Sequence, residues 1–324
     1  MALAIAFGVW PAICPAGGAR ASDSIPVLMY HHISDDPGQD VWTVGAEEFE
    51  RQIRFLKEQG YQSILPDDWV AAARGETALP AKPILITFDD GLQSILTHVE
   101  PILKRHGFRA IVYVITRNLA ETENDRRSYE GKPCLIWPEA RALHERGVIA
   151  IGSHSHTHSK HPSVLEREMT ISRRTARERA GLDLRHYCYP YGVHPPGLMK
   201  AAREAGYLTA MVCENTLSAA PDAQDPYGIP RVSVYGGHHE FHVKIVRAEQ
   251  DPRAWVVEAR NEGLPIPVQP VLVTGGRRAI LPMEPGEKLG PRPRVWTVPA
   301  EGEPEPGEAH VELWDRHGVL KLHP

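Results

Sequence analysis

The chain has no polybasic block. Its 36 Lys and Arg are outnumbered by 41 Asp and Glu, for a formal net charge of −5. Nucleic acid is therefore not an expected partner. Cysteine is scarce, with four in 324 residues. Cys14 falls in the N-terminal segment, which leaves Cys134, Cys188 and Cys213, an odd number without zinc-ribbon spacing. That argues against a disulfide framework, and buried free thiols are the expectation. There is no internal repeat, and no apolar run after the N-terminus is long enough for a membrane span. Residues 1–21 are Ala-rich and carry no charge before Arg20. Pro11, Pro15, Gly17 and Gly18 break this segment too often for a transmembrane helix. It lacks Lys or Arg near Met1, yet Ala19-Arg20-Ala21 has the small-x-small form of a signal-peptidase site. Residues 1–21 are read as a signal peptide, with an uncleaved anchor as the alternative, and the protein as periplasmic or secreted.

What is present centres on Ile84-Leu85-Ile86-Thr87-Phe88-Asp89-Asp90-Gly91. The β-branched apolar run reads as a buried strand bounded by Pro83 and Gly91. It delivers two adjacent carboxylates to a strand end, the usual place for chemistry in an α/β protein. Two charges there are costly without compensation, and a metal ion is the simplest compensation. A second strand at residues 148–153 runs into His154-Ser155-His156-Thr157-His158. Histidines four apart reach one point from a tight turn or a single helical turn. One carboxylate and two imidazoles leave positions open for water and substrate, as a hydrolytic metal site requires. Either motif alone is weak, since an Asp-Asp pair is more often a helix cap or a solvated turn.

Elsewhere strands and helices alternate, which argues an α/β barrel or sheet. Residues 25–30 form a strand leading to His31 and His32. Helices are expected at 43–60, 67–74, 95–104, 137–146 and 198–205. A further helix opens at Ser163 with capping-box form. Strands are expected at 110–115, 186–189 and 208–213. Residues 117–132 read as a polar loop able to cover a site. After about Asp251 helical periodicity disappears, and short strands are expected at 255–259, 268–274, 294–298, 310–314 and 318–322.

Thr87-Phe88-Asp89-Asp90-Gly91 resembles the first motif of the polysaccharide deacetylases, the NodB-like carbohydrate esterase family 4 group. His154-Ser155-His156-Thr157-His158 resembles the second, and Tyr189-Pro190-Tyr191-Gly192 the end of the third. The resemblance covers roughly Pro26 to Phe241. It implies an irregular (β/α) barrel of the NodB-like type with its site at the C-terminal strand ends. The chain divides accordingly into a signal peptide at 1–21, a deacetylase domain at 22–250 and a small all-β C-terminal appendage at 252–324.

The implied reaction is metal-dependent hydrolysis of acetyl groups on N-acetylglucosamine units of a cell-surface or biofilm polysaccharide. The resemblance assigns Asp90, His154 and His158 as metal ligands and Asp89 as general base. The backbone N–H of Tyr191 completes an oxyanion hole. Zinc is the first choice of metal, and cobalt, nickel or iron also suit the donor set. Two departures stand out. Cys188 occupies the place of an Arg that orients the base, and Arg231 is the candidate substitute, against the plain reading of a surface arginine. The late Leu-x-Leu-x-His is missing, so His31 is the expected general acid, in line with the exported poly-β-1,6-N-acetylglucosamine branch, with His238 as runner-up. A polysaccharide O-acetyl esterase and an inactive glycan-binding relative are the competing readings. Retention of Asp89, which metal binding alone does not need, argues against the latter. A glycoside hydrolase would want two separated carboxylates.

Overall fold

A computed structural model describes residues 24–38, 40–213, 218–221, 224–236, 241–251, 254–261, 268–274, 277–281, 294–299, 310–315 and 320–323. The segment read as a signal peptide and His238 lie outside the described residues.

The apolar runs become parallel strands: β1 Val27–Tyr30, β2 Gln62–Ile64, β3 Pro83–Phe88, β4 Ala110–Val114, β5 Ile149–Ser153, β6 His186–Cys188, β7 Thr209–Met211 and β8 Val232–Ser233. Their order is β7-β6-β5-β4-β3-β1-β8, with β2 also paired to β3. A parallel bridge between Met211 and Ile229 ties the β7 edge to the segment entering β8, so the sheet curls toward closure. Every residue of β3 and β4 is buried. Both faces of a parallel sheet are covered, which is why these strands read as continuous apolar runs.

The helices are α1 Ala46–Glu58, α2 Pro66–Ala73, α3 Glu100–His106, α4 Trp137–Glu145, α5 Pro162–Ala180 and α6 Pro196–Glu204. Helix α1 turns Phe49, Ile53 and Leu56 into the core. Phe49 meets the Tyr30 ring edge-on at 5.2 Å between centroids and the Phe88 ring at 5.7 Å. Each such burial contributes about 1.5–3 kcal/mol. The cluster fixes the ends of β1 and β3, directly before His31 and Asp89. The architecture is an irregular (β/α) barrel.

Several expected boundaries shift for local reasons. Thr43–Gly45 is not helical but pairs with His32–Ser34, as its β-branched residues favour, and Gly45 becomes the N-cap of α1. The expected capping box at Ser163 does not form, because the helix starts at Pro162 with His161 as N-cap. Proline is pre-organised for the first helical position. The helix after Asp90 opens with a π-turn, Ile95–Val99, before α3. Residues 117–132 are more ordered than a plain loop, with two 3₁₀ turns and a small hairpin between Ser128–Tyr129 and Lys132–Pro133. Glu130 and Gly131, with φ of 48° and 77°, make its tip.

The C-terminal part is all-β. Strands β9 Phe241–Arg247, β10 Ala254–Asn261, β11 Val268–Thr274, β12 Arg277–Ile280, β13 Arg294–Pro299, β14 His310–Asp315 and β15 Leu320–His323 form two antiparallel sheets, β9-β10-β13 and β12-β11-β14-β15. Strand β9 pairs with β10 along its whole length, so the antiparallel region begins at Phe241 rather than near 252. Phe241, Val243 and Ile245 alternate with polar or other residues, a period-two signal outweighed by the Pro/Gly change further on.

Candidate metal and hydrolytic site

The C-terminal ends of β1, β3 and β5 deliver His31, Asp89-Asp90 and His154 to one cavity of about 300 Å³. His158, Tyr191, Trp42, Tyr129, Cys213 and Tyr235 also line it. Asp89 continues the strand ladder, its N–H donating to the Tyr30 carbonyl at 2.9 Å. The chain then turns left-handed at Asp90 and Gly91, both with φ of 72°. A Cβ at position 91 would lie 2.9 Å from Val114 Cγ1, so both conformation and space require glycine there.

Asp90, Glu130, Ser155, His158 and Tyr191 are the non-glycine residues with positive φ among the described residues. All five belong to this cavity or to the turn that carries its histidines. Each such conformation costs on the order of 1–3 kcal/mol, and such strain gathers at functional sites. The turn is held from below. Glu168 of α5 accepts the backbone N–H of His156 and Thr157 at 3.2 and 2.9 Å, and also the Thr157 hydroxyl. Ser155 Oγ accepts the His158 N–H at 3.0 Å. The sequence expectation did not include Glu168, since a helix glutamate carries no spacing signal.

Asp90, His154 and His158 each offer a ligand atom, all within 4.8 Å of one another. The two Nε2 atoms are 3.1 Å apart, and each lies 3.9 Å from Asp90 Oδ1. Donors about 2.0–2.2 Å from a shared tetrahedral centre would be roughly 3.3–3.5 Å apart. The set therefore fits a divalent ion with small adjustment. His154 Nδ1–H donates to the Cys188 carbonyl at 2.9 Å, which leaves its Nε2 lone pair facing the cavity. His158 Nδ1 pairs with the Tyr129 hydroxyl at 2.7 Å, a group able to accept the Nδ1 proton when Nε2 serves as a ligand. Burial, then the neighbouring Asp89 charge, push the Asp90 pKa well up. A cation is what this carboxylate wants.

A second triad, Asp89, His154 and Cys188, is equally compact. It does not fit a cation, because a guanidinium is already there. Arg231 donates to both Asp89 oxygens at 2.7 and 2.8 Å, and to Cys188 Sγ at 3.0 Å. It also donates to Thr87 Oγ1 and to the Val212 carbonyl, at 3.1 and 3.2 Å. Arg231 is fully buried, so the surface-arginine reading fails. Burial alone would raise the Asp89 pKa, but the charges of Arg231 and His154 hold it well below the usual carboxylate range.

His31 stacks at a tilt on Trp42, with centroids 4.4 Å apart, and its buried Nδ1 has no hydrogen-bond partner among the described residues. Burial pushes its pKa down to about 4, against the opposing pull of Asp89. The same cause takes His158 to about 3 and lowers His154. The Tyr191 ring lies 4.5 Å from that of His158 and is 61% exposed, forming an outer wall. Tyr129 escaped the sequence expectation, although the Glu130-Gly131 dipeptide marked the turn that presents it.

The lowered histidines set a pH dependence. Unfolded, they titrate near 6.5, whereas in the folded, metal-free site they stay neutral well below that. As pH falls beneath about 6.5, the unfolded chain binds protons that the folded site refuses, so stability falls. Asp90, with its raised pKa, opposes this as one group against three. The melting temperature of metal-stripped protein is expected to drop by several degrees between pH 7 and pH 5. An unchanged or higher value would contradict neutral, buried imidazoles.

Three comparisons place the chain. The polysaccharide deacetylase family model matches residues 76–210. A poly-β-1,6-N-acetyl-D-glucosamine N-deacetylase of Staphylococcus epidermidis is 23% identical over 242 residues, spanning 68% of this chain and 83% of that protein. One from Escherichia coli (strain K12) is 27% identical over 135 residues, 40% of this chain but 20% of that protein. The structure of IcaB from Ammonifex degensii superposes with a TM-score of 0.57 at 22% identity, covering 65% of this chain and 92% of that one. Among the described residues no helix is long and apolar enough to cross a membrane. The three motifs thus line one cavity, residues 76–210 match the polysaccharide deacetylase family, and the fold is the irregular (β/α) barrel of the NodB-like type.

Proposed function

We propose that the protein is a metal-dependent hydrolase that removes acetyl groups from N-acetylglucosamine units of an exported polysaccharide, β-1,6-linked as in the named relatives. The observation carrying this reading is the Asp89–Arg231 clamp set beside an independent donor triad. Asp90, His154 and His158 would hold the ion. When bound, a divalent ion lowers the pKa of water and polarises the acetyl carbonyl.

The chain's own groups supply the rest. Arg231 fixes both Asp89 oxygens, so the carboxylate faces the cavity in one orientation and stays ionised. It takes a proton from the attacking water. The proton then passes from Asp89 to His31, which lines the same cavity. His31 then protonates the leaving amine. The Tyr191 N–H, on its left-handed turn, assists the carbonyl oxygen as charge develops. Residues 1–21 direct export, zinc is the favoured metal, and the region after the barrel packs as a small β-rich unit.

The test is acetate release from β-1,6- and β-1,4-linked N-acetylglucosamine oligomers, with and without chelator. Chelator-sensitive release, faster on the β-1,6 oligomer, is expected, and His31→Gln should lower kcat by about 10²–10⁴-fold. Release only from O-acetylated xylan would make the protein an esterase. No release from any of them, in metal-loaded protein, would leave the glycan-binding reading.

A further inference from the structure

A second cavity, of about 600 Å³, opens on the other side of the histidine turn. Arg117, Arg127, Arg179, His156 and Thr116 contribute to its lining. His156 stands between the two histidines of the candidate metal triad, but its Nδ1 pairs with Thr116 Oγ1 at 2.9 Å, and the ring lines this cavity instead. Arg117 N–H donates to the His156 carbonyl at 3.0 Å, and the Arg127 guanidinium donates to the Arg117 carbonyl.

The charge in this cavity is unbalanced. The acidic residues of the lining are Glu121 and Asp125. Glu121 is taken by Arg179 at 2.9 Å, and Asp125 accepts the Thr122 hydroxyl at 2.7 Å. Arg117 and Arg127 have no carboxylate partner among the described residues, unlike the adjacent Arg126, which Glu123 and Glu139 neutralise. Asp125 keeps its charge, so three guanidinium groups face two carboxylates; the lining remains cationic, and forked guanidinium groups suit an oxyanion. The volume exceeds the needs of a free inorganic ion and suits a substituted sugar.

We propose that this cavity binds an oxyanion substituent, a phosphate or a carboxylate, carried on a sugar of the glycan, through Arg117 and Arg127. The oxyanion site is separate from the hydrolytic groups, and its assignment to a sugar of the glycan rests on the proposed function. Because His156 of this cavity lies between His154 and His158 of the other, and Arg127 directly precedes the hairpin that carries Tyr129, an anionic glycan seated here lies beside the acetyl-binding cavity.

The test is calorimetric titration of the metal-loaded protein with N-acetylglucosamine 6-phosphate, glucuronic acid, inorganic phosphate and neutral N-acetylglucosamine. The variant is Arg117→Gln/Arg127→Gln; both side chains are exposed, and the Arg117 N–H contact to the His156 carbonyl remains. At least one acidic sugar is expected to bind about tenfold or more tightly than the neutral sugar. That advantage should vanish in the variant and weaken with salt. Acetate release from a neutral oligomer should be unchanged in the variant. Inorganic phosphate binding as tightly as the sugar phosphate would overturn the glycan part. Binding that survives the double substitution, or no preference for the acidic sugars, would overturn the site.

Discussion

Arg231→Met is expected to cost about 3–5 kcal/mol of stability, because it strands the Asp89 carboxylate in a buried place. Arg231 and Asp89 are 0% and 2% exposed, and the pair is bidentate, so solvent cannot replace the lost guanidinium. The pH dependence separates this from lost packing. With Arg231 present, the folded-state pKa of Asp89 is depressed, so its contribution is present above the unfolded value near 3.9 and lost as pH falls through the folded value. In the variant, burial loses its main opponent and that pKa rises. Folding then penalises the ionised carboxylate, and the deficit should be large at pH 7 and shrink at pH 5. Activity should follow, with the acidic limb of kcat/KM displaced to higher pH as the base becomes protonated. Chemical denaturation and a pH–rate profile check both. An equal deficit at both pH values would reduce Arg231 to a packing residue.

His154→Ala is expected to remove both metal and turnover. Its imidazole lies within reach of His158 and Asp90 and is oriented by the Cys188 carbonyl. Losing an outer partner of a metal ligand typically costs about 10–100-fold in affinity, and losing the ligand costs more. Tyr129→Phe should therefore stay within that 10–100-fold range, since it removes only the hydroxyl beside His158 Nδ1. Elemental analysis after dialysis, with acetate release on the same samples, checks the pair. Full metal content in His154→Ala would exclude it as a ligand.

The strand ends were legible because chemistry and periodicity coincide there. A buried β-branched run ending in Asp89-Asp90-Gly91, and another ending in His154, announce themselves without a structure. Arg231 was legible only as a candidate, since no spacing reveals that a residue just before β8 reaches past β1 to the end of β3. Trp42 and Glu168 were not legible, and for Tyr129 only its turn was marked. Each reaches the site through tertiary packing: a hairpin side chain, an aromatic beneath His31, and a helix carboxylate holding two backbone amides. The start of β9 was hidden for another reason, because a two-residue period is brief in a seven-residue strand and the stronger Pro/Gly signal comes later.

Asp89 and Asp90 are neighbours in sequence, yet one faces a guanidinium and the other two imidazoles. The metal content of Asp89→Asn and Asp90→Asn, measured side by side, tests that division of labour directly. Asp89→Asn should keep its metal and lose turnover, while Asp90→Asn should lose the metal. Metal lost from Asp89→Asn and retained by Asp90→Asn would reverse the two roles and contradict the site as built here.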